Sequence, residues 1–133
     1  MPIDTSLVGK AFPPTAPYRV TAAAVREFAS AVGLGAEEAP VPPTFPIVVT
    51  FAAMFDFLEI EDIELSRIVH GDQKFRYERP VRIGDTLVAT MSVTGLRQIG
   101  GNDILATASE ITDAEGALVC TASATLVHRG GTA

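Results

Sequence analysis

His70 and Asp72 are the first pair to weigh for acid–base chemistry. Alternate residues of a β-strand share a face, and an imidazole beside a carboxylate can exchange a proton near neutral pH. Gln73 follows as a hydrogen-bonding neighbour, and a polar strand network is the competing reading of all three. The chain has two histidines; the other, His128, stands before Gly130-Gly131 at an end expected to be loose, and carries no catalytic expectation. Asp56 lies among Phe55, Phe57 and Leu58, where a dry setting would raise its pKa and suit it to base catalysis. A helix end open to water is the alternative there. Glu37 and Glu38 read as a solvated acidic loop. Lys74, Arg76 and Arg82, with Arg79 nearby, form a basic cluster in a chain of net charge −6. Such a cluster suits phosphate groups or an acidic partner, or equally cross-strand pairing with carboxylates. The acidic balance argues against a nucleic-acid partner. Cys120 is the sole cysteine, which excludes an intrachain disulfide, and between Leu118 and Ala122 it reads as an inert buried thiol. Neither a metal nor a nucleotide cofactor is expected, since no histidine–carboxylate cluster and no Gly-rich strand-to-helix loop is legible.

The elements that must position these residues can be read in order. Pro13-Pro14 and Pro17 force an extended lead-in. Thr21 then caps a helix whose Val25, Phe28, Ala29 and Val32 recur at helical spacing, and Gly33 and Gly35 end it. After a proline-rich loop, Thr44 caps a second helix from Phe45 to about Leu58, with Pro46 in its first turn. That helix is apolar almost all round, so other structure must wrap it. It is too short to cross a bilayer. The second half reads as strands over about Arg67 to Arg79, Thr86 to Gln98, Asp103 to Thr112 and Ala117 to Arg129. Gly84-Asp85, Gly100-Gly101-Asn102 and Asp113-Ala114-Glu115-Gly116 supply the turns. Short connections predict an antiparallel meander curled around the helix, an α+β arrangement whose uncovered sheet calls for a second copy or a related chain. With 133 residues, 47% of them hydrophobic, one domain is expected. Met1-Pro2-Ile3-Asp4 has no signal-peptide character and no apolar run is long enough to span a membrane, so a cytoplasmic protein is expected.

Several segments resemble the MaoC-like amino-terminal dehydratase family: Val8-Gly9-Lys10, Pro13 to Tyr18, Val25 to Gly33, Pro42-Pro43-Thr44-Phe45, Val69 to Pro80, Arg82-Ile83-Gly84-Asp85, Gly101 to Leu105 and Thr112 to Gly116. The resemblance covers nearly the whole chain. It implies a dimeric hot-dog fold over residues 1–133, in the group of R-specific enoyl-thioester hydratases and 3-hydroxyacyl dehydratases. The chain looks most like an actinobacterial branch. Some members there are the non-catalytic, acyl-holding subunit of a heterodimeric dehydratase, whose MaoC-like partner supplies the catalytic residues. R-specific hydratases carry Gly-Asp-x-Asn-Pro-x-His after the first helix, whereas this chain reads Gly33-Leu34-Gly35-Ala36-Glu37-Glu38-Ala39, without Asp, Asn or His. The expectation is therefore a non-catalytic or weakly active subunit that binds a fatty acyl thioester, carried on coenzyme A or an acyl carrier protein, with no prosthetic cofactor. Phe45, Phe51, Met54 and Phe55 are the candidate tunnel residues, with His70 and Gln73 beside them, although ordinary core is the competing reading. Burial of the acyl chain would gain about 0.8 kcal/mol per methylene. Lys74, Arg76 and Arg82 would meet coenzyme A phosphates or an acidic carrier. The alternatives are an active R-specific enoyl-CoA hydratase homodimer using His70, a thioesterase built on Asp56, and an acyl-thioester-binding homodimer without chemistry.

Overall fold

The structure is a computed structural model that describes residues 5–33 and 41–129. Thr21 opens the first helix, α1 (Ala22–Ala31), as its type predicts. Its backbone is extended and its hydroxyl accepts from the Ala24 N–H at 3.1 Å, satisfying one of the helix's orphan donors. Gly33, at φ +82°, ends the segment in a conformation that a side chain would strain. The second helix, α2, runs over Ile47–Ile60 and so passes Leu58 by one half-turn. Thr44 does not cap it. The Thr44 carbonyl accepts from the Ile47 N–H, and Pro46 takes the N-cap position without a side-chain hydrogen bond.

α2 buries Val49, Thr50, Ala53, Met54, Phe57 and Leu58, one side of the cylinder. On the other side Phe55 remains 48% exposed, and Phe51, at the margin of the buried face, 38%. The sheet thus wraps the face of the helix turned towards it, as expected, and the single chain leaves the other face open. Phe57 meets Phe12 edge to face at 4.9 Å, which pins the amino-terminal segment to the helix.

The strands are β1 (Tyr18–Arg19), β2 (Ile68–Tyr77), β3 (Thr86–Ile99), β4 (Asn102–Thr112) and β5 (Leu118–His128). They form one antiparallel sheet in the order β1-β3-β4-β5-β2. β3, β4 and β5 make the expected meander, but β2 pairs with β5, from Ile68 opposite His128 to Tyr77 opposite Cys120. The expected β2–β3 neighbourhood is therefore wrong. The connection over residues 78–85 can reach roughly 27 Å at about 3.4 Å per residue. Crossing three strand spacings needs only about 14 Å, so its shortness never forced a hairpin. The proline-rich lead-in is more than a loop: Gly9, Phe12 and Thr15 donate backbone N–H groups to Val93, Met91 and Ala89 at 2.8, 2.9 and 3.0 Å. One sheet edge is covered in this way, while at the other β2 has no further partner strand among the described residues.

Arg79 clamps the chain's crossing. It forms a two-pronged pair with Asp85, at 2.9 and 3.2 Å, and reaches Asp113 at 3.3 Å. Burial works against a charged Asp85, but Arg79, the Arg82 N–H and the Arg82 charge outweigh it and hold its pKa below the ordinary value. The Ala117 N–H does the same for Asp113 against the opposing effect of burial, helped by the Glu115 N–H and Arg79. A depressed folded pKa gives stability that is present above the unfolded value of about 3.9 and lost as pH falls through the folded one. Thermal melts of Arg79→Gln across the acid range are expected to show a flatter acid limb than the parent, with the deficit at neutral pH. An acid limb unchanged by the substitution would show that the clamp contributes nothing.

Candidate functional site

A one-residue bulge decides where the chemistry-bearing side chains of β2 point. His70 pairs with Leu126 and Asp72 with Thr125, so Gly71 is the extra residue. A Cβ at Gly71 would lie 3.2 Å from the Thr125 carbonyl oxygen, so a side chain there would press on the β5 backbone. The bulge re-phases the alternation. His70 and Gln73 both line a cleft beneath α2, whereas Asp72, Lys74 and Arg76 are exposed. The Asp72 carboxylate accepts the Thr125 N–H at 3.0 Å. The expected shared face of His70 and Asp72 is corrected by this, since it assumed unbroken alternation.

The cleft has a simple origin. Reading across the sheet, Ser109 of β4 faces Ala122 of β5 and then Phe75 of β2. One row along, Thr107 faces Ala124 and then Gln73. The two alanines leave a trough between larger neighbours, roofed by Thr50, Phe51 and Met54 of α2. Its free volume is about 20 Å³, room for about one water. At its mouth the His70 ring lies 5.9 Å from the Phe51 ring. The amide nitrogen of Gln73 donates to the Ser123 carbonyl at 3.1 Å, which fixes the side chain against β5.

Of the residues singled out in the sequence, Phe51, Met54, His70 and Gln73 come together at this trough. Phe45 does not join them: fully buried, it packs against Phe28 and Tyr18 with ring centroids 5.4 and 6.2 Å away. Phe55 and Asp56 lie on the open side of α2. The dry carboxylate that a thioesterase on Asp56 requires is therefore not what the helix presents, because its position falls on the face away from the sheet. Lys74 and Arg76 sit on the outer face of β2, and Arg82, also exposed, gives its N–H to Asp85. Arg79 is committed to its clamp. Glu37 and Glu38, like the rest of the loop after Gly33 as far as Pro40, lie outside the described residues. His128 is corrected: it is buried at the end of β5, and its Nδ1 lies 3.2 Å from Asp103 Oδ2. The strand ends at His128, one residue short of the expected Arg129, and residues 130–133 lie outside the described residues. Burial pushes the Cys120 thiol up, with a weaker opposing hydrogen bond from the Arg76 backbone, which suits an unreactive thiol.

A second and larger space, about 420 Å³, lies between Val41-Pro42-Pro43 and the segment from Tyr77 to Val81. Burial pushes the Tyr77 phenol up to about 12, assisted by the Cys120 thiolate charge, so it stays a neutral donor, to the Pro43 carbonyl. Sequence reading missed Thr107 and Ser109 as cleft residues. The signal was present in the period-two run Leu105, Thr107, Ser109, Ile111, which places two hydroxyls on a buried face.

A long helix cradled by a curled antiparallel sheet defines the hot-dog class. The chain matches the FAS1-like dehydratase domain region over residues 6–122. It is 43% identical to a UPF0336 protein of Streptomyces coelicolor, over 97% of each chain. Among solved structures it is similar to the HadBC (3R-hydroxyacyl-ACP dehydratase) complex of Mycobacterium tuberculosis, with a TM-score of 0.81, 28% identity, and 94% of this chain and 99% of that one covered. A MaoC-like dehydratase from Rhodospirillum rubrum shares the fold at a TM-score of 0.65 and 21% identity, over 95% and 94% of the two chains. The chain belongs to the MaoC-like hot-dog dehydratase family. Among the described residues no helix is long and apolar enough to cross a membrane.

Proposed function

We propose that this chain is a non-catalytic or weakly active (3R)-hydroxyacyl-thioester dehydratase subunit, which holds an acyl thioester beneath α2 and completes the active site of a MaoC-like hot-dog partner. The observation that carries the reading is the separation of its acid–base groups. Hydration of an enoyl thioester needs a base for water and an acid for carbon 2, converging on one substrate. Here His70 lines the cleft, Asp72 turns to the outer face and Asp56 stands on the open side of α2. The sequence from Gly33 to Ala39, without the Asp and His of active hydratases, points the same way. Partnering is supported by the β2 edge, which is unpaired among the described residues and lies beside exposed Phe51, Phe55 and Val69, since such an edge next to apolar side chains invites a second chain. The likeness to HadBC, a complex, supports the same reading.

The test is enoyl-thioester hydration. With trans-2-enoyl-CoA the purified chain alone is expected to leave the conjugated absorbance unchanged. Adding a MaoC-like partner is expected to give turnover above the partner's own rate. Turnover by the chain alone, abolished in His70→Ala, would instead establish an R-specific hydratase. Release of coenzyme A would establish a thioesterase. Acyl-CoA binding without turnover in either setting would establish a binding homodimer.

A further inference from the structure

We propose that the outer face of the sheet, the side turned away from α2, is a contact between two copies of this chain related by a two-fold axis along β5. This contact is separate from pairing at the β2 edge and does not depend on the acyl-thioester reading. The register sets the outward side chains of β2, β5 and β4 in rows. Val69, Val127 and Ile104 form one row, and Arg76, Thr121 and Glu110 another. The bulge at Gly71 creates the first of these, because it leaves Val69 and Asp72 both on the outer side. Val69 is 46% exposed there, and Val127 and Ile104 are partly exposed beside it.

A wet sheet face ordinarily carries polar side chains opposite its buried alternates. Between the two rows this face is low instead. Thr125 and Ala106 follow Asp72 across the sheet, and Ser123 and Ala108 follow Lys74. Short side chains on β5 and β4 let a second sheet approach to the spacing of about 10 Å at which sheets stack.

The charges show which second sheet fits. Arg76 and Glu110 are both exposed, and neither forms an ion pair among the described residues. They stand on either side of Thr121, two strand spacings or about 10 Å apart. Rotation about β5 exchanges its two neighbours, so β2 of one copy comes over β4 of the other at the same height. Arg76 then faces Glu110 of the second copy, twice by symmetry, and Val69 faces Ile104 with Val127 on the axis. Asp72 and Lys74 come over Ala106 and Ala108, so no like charges meet. Aligned sheets cross at about 30°, and the long Arg76 and Glu110 side chains absorb that offset. Three strands of about ten residues cover roughly 14 Å by 34 Å, or about 1,000 Å² summed over both copies. That is the low end for a specific interface, so the pair forms and dissociates with concentration.

The experiment is sedimentation equilibrium of the full chain over a concentration series. The mass is expected to double as concentration rises. Glu110→Arg, on β4 and away from the β2 edge, is expected to hold the chain at the lower mass by setting Arg76 against a like charge, with the dissociation constant raised at least tenfold. The charge swap Arg76→Glu/Glu110→Arg is expected to restore the doubling. Ser123→Lys, which places like charges together on the axis, is expected to abolish it independently. Melting temperatures at low concentration are expected to match the parent in all three variants, which separates lost association from lost folding. A parent whose mass does not double overturns the proposal. So does doubling that survives Glu110→Arg or Ser123→Lys, or that a folded charge swap fails to restore; either would place the contact elsewhere on the molecule.

Discussion

Phe57→Ala is expected to lower the unfolding free energy of the isolated chain by about 3–5 kcal/mol. Phe57 has no exposed surface and sits on the sheet-facing side of α2, so truncation leaves a cavity between helix and sheet. Collapse into that cavity is hindered. Phe12, its edge-to-face partner, is tethered by its own N–H to the Met91 carbonyl at 2.9 Å, and the segment cannot follow the vacated ring. Against a typical domain stability of roughly 5–15 kcal/mol, such a loss is large enough to unfold part of the population. The matched control is Phe55→Ala, in the same helix but 48% exposed. Its cost to the isolated chain is expected to stay within about 0.5 kcal/mol, while its pairing with a partner weakens. Urea unfolding of both variants checks this. Equal costs would mean that α2 does not present the two faces described.

The contrast between these phenylalanines also marks what could be read from the sequence. α2 is apolar almost all round, so composition announces a helix that needs covering but cannot say which side the sheet takes. α1 was legible from its cap and period, because both are local. The strands of the second half were legible to within about a residue or two at most ends for the same reason. Pairing is not local, and two errors follow from that. β2 was assigned to β3 because they are neighbours in sequence, yet it closes on β5. The bulge at Gly71 depends on a contact with Thr125, far along the chain, and nothing in the run His70-Gly71-Asp72 alone shows that Asp72 is turned away. At the site, four of the expected side chains converge, because helix period and strand period each hold over short stretches. The trough itself depends on Ala122 and Ala124, small residues that look ordinary until the strand beside them is known.

The buried pair at the far end of the sheet leads to the second large effect. His128→Leu is expected to cost about 1.5–3 kcal/mol, the range for a hydrogen bond to a charged group. Asp103 is 2% exposed, and losing His128 takes one donor from a carboxylate that water cannot reach well. Gln98 still donates to Asp103 at 2.9 Å, which limits the damage. The double replacement Asp103→Leu/His128→Leu behaves differently. It removes the buried charge together with its partner, and two apolar side chains in that space recover most of the loss. Gln98 is exposed and can turn to water. A double-mutant cycle by equilibrium unfolding measures the coupling directly, and losses that simply add would show that the two side chains stabilise independently. The same variants separate structure from chemistry. His128 does not line the trough, so His128→Leu, once corrected for its folded fraction, is expected to bind acyl thioesters and to support a partner's turnover as the parent does. A fall in turnover beyond the folded fraction would make the pair part of the reaction and not of the scaffold.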